Sequence, residues 1–546
     1  MSGFKELKDS KKDPEDLKIL RESESSTESD LKFSKAKVSR KTVQPSVKIS
    51  KKLSDDSKDF DEDNEEENEE LNPNDPNKTL DFIFTVQMFG HKDPNEVPIN
   101  FESKTAKLWE RMLHPLQYGS LRGSIFALSS MCLEAGTLVL AIRCEQFGMV
   151  NFLIALILGG LVAYLSLVLM IEAGKNVEMK EYSRVVRKIL GPKMGVFVDC
   201  NITLYLFGAL ISFQVIIFQI LGSVTYDIMK IMDKLDKEKY PTFERFKDDY
   251  WRESLYIKIP IMFGVAALAF PLCLLKDVSK MRWASLFGVL ALIYSIVVIV
   301  IESFFFLFKK NWDLIGEMNW FDISGVFSLD NGLPFFSGFA TVFYIYSCHA
   351  GAFPVYKTLK NPTTKRIRKV FRRSILLDIC IYVSVAAASF ITCPKNPPEL
   401  ILYRENLEGF DPDYFVIIAK VGIIFNLFFS TPPNYAGLRL SLFELIWGNT
   451  NITNVKNFVV TLIMFIIIVL IGALYDKILD YIALLGGFCS VVYCILIPGL
   501  IYVNSGDIPK CSLQKLAIIF LIVTLTIIGY TSGICTILFN MVKIRE

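Results

Sequence analysis

The chain has 546 residues, of which 52% are hydrophobic and 21% charged, and its mean hydropathy is +0.37. This composition excludes an ordinary soluble protein, because a water-exposed fold has no place for so much apolar surface. The 59 basic and 57 acidic residues nearly cancel, and three histidines with eleven cysteines but no CxxC pair give no zinc site, no disulfide framework and no sign of nucleic-acid binding.

Residues 1–115 form a polar, charge-dense N-terminal segment. It is rich in Lys and Ser between residues 34 and 52 and almost purely acidic from 59 to 70. Blocks of like charge with few apolar residues cannot bury enough surface to offset chain entropy, so we predict a disordered cytosolic tail. We expect no cleaved signal peptide before it. The tail could offer a surface to a cytosolic partner, or it could be solvated chain without a separate role.

Residues 116–541 are predicted to form a transmembrane domain of about eleven helices embedded in lipid. A helix needs about 20 apolar residues to cross the hydrocarbon. Eight windows of suitable length contain no Asp, Glu, Lys or Arg, and three more each hold one ionisable residue, Glu134, Asp378 or Lys420. The predicted spans are 122–147, 149–173, 194–226, 257–275, 281–308, 334–356, 371–393, 413–433, 456–475, 478–503 and 514–541.

The loops after the second and sixth spans, 174–193 and 357–373, are rich in Lys and Arg. Because short cytosolic loops carry an excess of these residues, we place both loops and the N-terminus in the cytosol. The chain is therefore expected to be a multi-pass protein of the plasma membrane or of a vacuolar or lysosomal-type membrane.

Two of the predicted spans contain small and polar residues where a membrane helix would ordinarily continue with Leu or Ile. Gly136 in the first span and Gly351 in the sixth are 215 residues apart, and the same offset places the second span on the seventh and the third on the eighth. This pattern predicts an inverted repeat of five plus five spans with one extra helix. The candidate substrate-binding residues at the two interruptions are Cys132, Leu133, Glu134, Ala135, Gly136, Thr137, Ser347, Cys348, His349 and Gly351.

An interrupted membrane helix survives only where its freed backbone groups line a cavity or meet a ligand. The N-terminal end of a half-helix offers N–H groups to a carboxylate, and a C-terminal end offers carbonyls to an ammonium or a metal cation. A zwitterion fits between such ends. The alternative is that Gly136 and Gly351 only allow helices to pack closely.

Four segments of the membrane domain resemble the amino acid/auxin permease family. They are SSMCLEAGTLVLAIRCEQFG (Ser129–Gly148), YIYSCHAGAFPVYKTLKNP (Tyr344–Pro362), ASFITCPKNPPELILY (Ala388–Tyr403) and YIALLGGFCSVVYCILIPGLIYV (Tyr481–Val503). The resemblance implies an all-α, LeuT-like fold of eleven helices and amino acid transport coupled to protons or sodium. The chain departs from the family pattern at Glu134, where the family has its first glycine, and at Ala141, where a proline commonly closes the motif.

Glu134 and His349 are the ionisable candidates for ion coupling. A carboxylate in the membrane is costly unless it is protonated, paired or facing water, so Glu134 could carry a proton, attract a cationic substrate, or pair with a residue such as Lys420. His349 could sense the proton gradient or brace the broken helix as a neutral hydrogen-bonding group.

The remaining polar residues of the spans give weaker indications. Asp199 and Asp378 lie a few residues inside predicted cytosolic edges, so we interpret them as interface groups that reach water. In the eighth span, Asn426, Ser430 and Thr431 could hold a sodium ion against the carbonyls of the first span, or could simply join helices.

We therefore predict a secondary active transporter of amino acids, including cationic ones, that works by alternating access and needs no cofactor beyond a coupling proton or sodium ion. Separated acids and scarce histidines argue against an enzyme, and the lack of charged rings argues against a channel. A transporter-like nutrient sensor and a carrier of another small organic cation or metabolite remain alternatives.

Overall fold

A computed structural model of the protein describes residues 119–133, 135–236, 238–252, 255–275, 282–309, 329–394, 396–407, 410–447, 453–505 and 513–545. The predicted tail, residues 1–115, and the candidate residue Glu134 lie outside the described residues. The described part of the chain is helical and contains no strand.

Fourteen helices of the described residues build the membrane bundle, and a 3₁₀ turn, Ala135–Val139, stands between the first two. In chain order they are α1 (Leu121–Cys132), α2 (Leu140–Phe147), α3 (Met149–Asn176), α4 (Tyr182–Leu190), α5 (Pro192–Ile231), α6 (Leu255–Cys273), α7 (Arg282–Phe308), α8 (Leu329–Ile345), α9 (His349–Thr358), α10 (Thr364–Thr392), α11 (Tyr414–Trp447), α12 (Asn454–Leu474), α13 (Ile478–Asn504) and α14 (Leu513–Arg545).

Nine helices of the described residues are long and apolar enough to cross a bilayer, and α1 with α2 makes a tenth span if the bent pair is counted as one. The sixth predicted span is covered by α8 and α9, which have 17 and 10 residues and are separated by three. The helices of the described residues, with α1–α2 and α8–α9 taken as pairs, overlap the predicted spans along the chain.

One helix differs clearly from its predicted span. The eighth span is predicted to end at residue 433, at the Pro432–Pro433 pair, but α11 continues to Trp447. Prolines are tolerated inside membrane helices because neighbouring helices and polar side chains satisfy the freed backbone groups. The extension matters because it carries α11 past the candidate site described below.

The helices expose apolar side chains as well as burying them, as expected for a protein surrounded by lipid. On α3, Phe152 and Leu156 are fully buried, whereas Leu158, Leu161 and Leu165 are about half exposed. A water-soluble protein would carry polar residues on that outer face. The outer face of α3 is therefore suited to contact with lipid tails.

Packing brings the two interrupted spans to the middle of the bundle. Helix α10 lies along α1, α2, α3 and α7, while α11 lies along α5 and α7. Helix α13 approaches the backbone of α8 at Gly486, where a Cβ atom would fall on the carbonyl oxygen of Ala340. Only glycine permits this contact, which places the π-helical segment Leu485–Ser490 beside the second interruption.

Candidate functional site

The first interruption begins where α1 ends at Cys132. The backbone N–H of Leu133 bonds to the carbonyl of Ser129 at 2.9 Å, and the chain axis then turns by 53° into the Gly136–Phe147 segment. The last carbonyls of a helix have no donor within the helix, so the C=O of Cys132 is open to a partner from outside α1. Gly136 and Thr137 are buried next to it.

The second interruption separates α8, which ends at Ile345, from α9, which begins at His349. The backbone N–H groups of Ser347 and Cys348 turn back to the carbonyls of Tyr344 and Tyr346, at 3.2 and 2.9 Å. The helix is therefore interrupted for only three residues.

Two side chains of α13 hold this segment in place. The hydroxyl of Ser347 lies 2.7 Å from that of Ser490, and the hydroxyl of Tyr493 donates to the Ser347 carbonyl at 3.1 Å. The second interruption is thus attached to the π-helical part of the bundle.

The two interruptions touch one another. A Cβ atom on Gly136 would come within 2.7 Å of Ile345 Cγ2, and the thiol of Cys132 lies beside that of Cys348. The structure thus brings together the residues that the sequence placed 215 positions apart. Gly351 packs equally closely, since its Cβ would fall on the sulfur of Met131.

Tyr382 of α10 reaches both interrupted spans. Its hydroxyl oxygen lies 2.6 Å from the carbonyl oxygen of Cys132 and 2.9 Å from that of Ile345, the last residues of α1 and α8. A phenolic hydroxyl has one proton and can donate fully to one acceptor at a time. The other carbonyl can therefore accept a hydrogen bond from a ligand.

His349 points away from this junction. It is fully buried, and its Nε2 lies 3.1 Å from the hydroxyl of Ser166 on α3, while Nδ1 has no hydrogen-bond partner among the described residues. This geometry joins α9 to α3.

A cavity of about 200 Å³ opens beside the second interruption. Of the predicted site residues, Ser347, Cys348 and Gly351 line it, together with Met131 at the end of α1. Further lining residues missed by the sequence analysis are Tyr205 of α5, Asn434, Gly437 and Ser441 of α11, and Tyr493 of α13. The cavity therefore lies between the interrupted spans on one side and α5, α11 and α13 on the other.

The cavity is lined in part by charged residues, among them Asp199 and Glu444. Arg187 of α4 pairs with Asp199 of α5 and, at 3.1 Å, with Glu444 of α11. Partial burial alone would lower the pKa of Arg187, but the hydrogen bond and charge of Asp199 outweigh it and the pKa is raised. Asp199, interpreted from sequence as a water-exposed interface group, is instead buried in an ion pair.

The three oxygen-bearing residues predicted to hold sodium lie elsewhere on α11. Asn426 packs against α7, where a Cβ on Gly288 would meet its Oδ1 at 2.8 Å, and the Thr431 hydroxyl donates to the Leu427 carbonyl at 2.8 Å. Asn426, Ser430 and Thr431 are not among the described residues that line the cavity. A sodium site at these three residues therefore stays a prediction.

Lys420 has a partner other than the one suggested from sequence. Its ammonium lies 2.5 Å from a carboxylate oxygen of Asp227 on α5, and both side chains are largely buried. Two charges removed from water together compensate one another. Lys420 therefore joins α11 to α5.

Asp378 was interpreted as an interface group, and this is wrong. Its side chain is 0% exposed, and neither carboxylate oxygen has a hydrogen-bond partner among the described residues. Asp378 lies only seven residues after the predicted start of the seventh span at residue 371, which suggests a position near the cytosol. It is buried nevertheless, because that face of α10 packs against α1. Ser374, Asp378 and Tyr382 recur at intervals of four, which is the sequence signal for one helix face.

Arg143 is a second buried charge that the sequence analysis missed. It is 1% exposed, and its guanidinium donates to the hydroxyls of Thr341 and Ser337 on α8 at 2.9 and 2.8 Å. It thereby links α2 to α8, the two half-helices that contribute no described residue to the lining of the cavity.

Comparisons with known proteins agree with this architecture. Residues 118–541 match the model of the family described as transmembrane amino acid transporter protein. The chain is 23% identical over 398 residues to sodium-coupled neutral amino acid transporter 7 of Rattus norvegicus, which covers 71% of this chain and 79% of that protein. It is 24% identical over 286 residues to a Toxoplasma gondii protein named as the amino acid transporter AAT1. That match covers 52% of this chain and only about a third (35%) of the Toxoplasma protein.

Among solved structures, the chain is similar to MhsT in complex with L-phenylalanine. The TM-score is 0.50 at 14% sequence identity, and the match covers 76% of this chain and 97% of that one. At this identity the likeness bears on the fold alone. The predicted all-helical, LeuT-type membrane fold is confirmed.

Proposed function

The chain belongs to the family of transmembrane amino acid transporter proteins and carries amino acids across a membrane, and we propose that it binds them where its two interrupted spans meet. The resemblance drawn from sequence motifs is confirmed by the family match over residues 118–541. The binding site, the coupling ion and the orientation in the membrane are the parts that we propose.

The observation that carries the site is the position of Tyr382 between two helix-end carbonyls. Cys132 and Ile345 both present their C=O groups to one hydroxyl, at 2.6 and 2.9 Å. Because that hydroxyl can satisfy only one of them fully, the pair favours a ligand that brings further N–H donors. The α-ammonium of an amino acid has three.

The substrate carboxylate has a complementary place at the start of α9. Helix α9 begins at His349, and the cavity is lined there by Ser347, Cys348, Ala350 and Gly351. The N-terminal end of a helix carries positive partial charge, which attracts a carboxylate even though the N–H groups of Ser347, Cys348 and Gly351 already donate to backbone carbonyls. A zwitterion can therefore bind with its ammonium toward the ends of α1 and α8 and its carboxylate toward α9.

The cavity is lined in part by the first residues of α4 and by the segment just before it. Lys180 lines the cavity, Arg187 pairs with its lining residues Asp199 and Glu444, and α9 continues into the basic loop of residues 357–373. The positive-inside rule supports a cytosolic location for these basic segments and for the N-terminus. In this conformation the candidate site would face the cytosol, and alternating access would close it there and open the α2–α8 side. The plasma membrane and a vacuolar or lysosomal-type membrane fit this orientation equally.

The test is uptake of radiolabelled neutral and cationic amino acids into proteoliposomes under imposed proton or sodium gradients. Ser347→Leu fills the cavity beside the second interruption and should reduce uptake at least tenfold. Ser384→Leu, on the exposed face of α10, is the matched control and should transport normally. Both proteins are first shown to be monodisperse. Wild-type uptake at the level of empty liposomes for every amino acid would refute the proposed substrate class, and normal uptake by Ser347→Leu would refute the site.

A further inference from the structure

Asp378 is a buried carboxylate that amino acid binding at the interruptions does not use. It lies at the centre of α10, with fourteen residues of the helix before it and fourteen after it, and its side chain is 0% exposed. Neither carboxylate oxygen forms a hydrogen bond of good geometry within the described part of the chain; the Ser129 hydroxyl, which bonds to Ser374, and the Cys132 thiol lie beside it and interact with it only weakly. A group of this kind needs a physical explanation, because unpaired buried polar atoms are rare and costly.

Asp378 is positioned by contacts between one face of α10 and one face of α1. Ser374, one turn before Asp378, lies with its hydroxyl 2.8 Å from that of Ser129, and Tyr382, one turn after it, reaches the Cys132 carbonyl at 2.6 Å. Asp378 stands between these two contacts, beside the Ser129 hydroxyl and the Cys132 thiol. Its carboxyl group is thus directed at the last turn of α1, immediately before the first interruption.

No described cation lies within ion-pair distance of this carboxylate. The titratable groups that act across the interface are Cys132 of α1 and Tyr346 at the second interruption, with Tyr382 on the same helix. Three charged residues of the other packed helices have partners of their own: Arg143 of α2 is bonded to Thr341 and Ser337, Glu172 of α3 is paired with Arg368, and Glu302 of α7 is paired with Arg404. The same helices also carry Glu145, Lys175 and Arg282, the first residue of α7, and among the described side chains no ion pair joins Glu145 or Lys175 to Asp378.

An ionised carboxylate in this position costs several kcal/mol, and a proton removes that cost without needing any other ligand. A metal cation would need several oxygen ligands around it. The side chains beside Asp378 provide one hydroxyl and one thiol, which suit a carboxylic acid better than a metal ion.

Resting on the proposed transport function, we propose that the carboxyl group of Asp378 takes up and releases the proton that couples transport to a pH gradient. In the ionised form the carboxylate accepts a proton to become a neutral acid, and in the opposite step it returns the proton to water when the bundle opens that interface. The coupling to substrate is short, because Tyr382 lies one helical turn away and touches both proposed ammonium acceptors. Glu134 and the three residues predicted to bind sodium take no part in this proton transfer.

The experiment separates coupling from binding in proteoliposomes of wild type, Asp378→Asn and Asp378→Glu. Accumulation is measured with an imposed pH gradient of either polarity and without sodium. Exchange is measured with equal substrate on both sides and no gradient, over a range of pH. Asp378→Asn should lose pH-driven accumulation at least tenfold while retaining exchange that no longer varies with pH. Asp378→Glu should restore accumulation with a displaced pH profile, which a purely structural residue would not produce.

Several results would overturn the assignment. One is an Asp378→Asn protein that still accumulates substrate in response to a pH gradient. Another is a wild-type protein that transports amino acids on a sodium gradient but ignores the pH gradient. A third is a Glu134→Gln protein that exchanges substrate but no longer accumulates it on a pH gradient, while Asp378→Asn still accumulates it. If Asp378→Asn loses exchange as well, the Asp378→Glu protein decides: accumulation with the same pH profile as wild type would contradict the proposal. A wild-type protein without any amino acid transport would instead refute the proposed function on which it rests.

Discussion

Replacing Tyr382 with Phe tests whether its hydroxyl occupies the place of a substrate ammonium. The substitution removes a single donor that contacts the carbonyls of Cys132 and Ile345, both at helix ends and both buried from water. Leaving a buried acceptor without its donor costs about 1–3 kcal/mol. The substrate-free protein should therefore unfold at a lower temperature, by a few degrees.

The direction of the substrate effect distinguishes this reasoning from simple destabilisation. An ammonium that supplies the missing donor recovers about 1–3 kcal/mol, so substrate should bind Tyr382→Phe about 5- to 150-fold more tightly than wild type and stabilise it more strongly. The control is Tyr346→Phe, since that hydroxyl donates at 2.9 Å to the carbonyl of Leu156, which lies within α3 and away from the helix ends.

Thermal unfolding followed across a substrate titration gives both quantities for each protein. Tyr346→Phe should lose some stability but keep the wild-type substrate response. Equal substrate-induced shifts in the two variants would refute the assignment of the carbonyls to the ammonium.

Two further predictions concern packing and charge. Gly136→Ala places a methyl group 2.7 Å from a methyl carbon of Ile345, so it should destabilise the protein by about 1–3 kcal/mol and reduce uptake. The control is Gly264→Ala, where the added methyl group meets no heavy atom within 4 Å. In the same thermal assay this control should be neutral or slightly stabilising. Lys420→Met leaves Asp227 in a largely buried position without its partner and should cost about 3–5 kcal/mol, most of which the double substitution with Asp227→Leu should recover. A Lys420→Met protein that unfolds at the same temperature as wild type would contradict the pairing of Lys420 with Asp227.

The parts of the site that sequence predicted are those that break a local rule. Small and polar residues in an otherwise apolar run identify both interruptions, and the regular spacing of the two halves predicts that Gly136 and Gly351 belong to one site. The structure confirms the fold and brings the interruptions into contact, with Gly136 against Ile345. These features follow from the requirement that backbone groups in lipid be satisfied internally.

The parts that sequence did not predict depend on which helices face one another. Tyr382 is one of 21 tyrosines in an aromatic-rich chain, and nothing local distinguishes it from a packing residue. The predicted eighth span ends at residue 433, so Asn434 and Ser441 fall outside it, although they line the cavity. Distance along the chain to a predicted membrane edge gave the wrong environment for Asp378, because burial is set by the neighbouring helix.

The spacing along α10 gives a physical basis for joining ion and substrate in one mechanism. Four residues of an α-helix rise about 6 Å, so the carboxyl group of Asp378 lies about one turn from the hydroxyl that meets both helix-end carbonyls. Two unit charges about 6 Å apart interact by about 3 kcal/mol at an effective dielectric constant near 20. That energy corresponds to about a hundredfold in affinity, so the proton and the ammonium could not bind independently. Linkage then requires that the factor by which pH changes substrate affinity equal the factor by which substrate changes proton affinity. Measuring both in wild type, and finding both absent in Asp378→Asn, would place the coupling on this helix face and not on a longer route through the bundle.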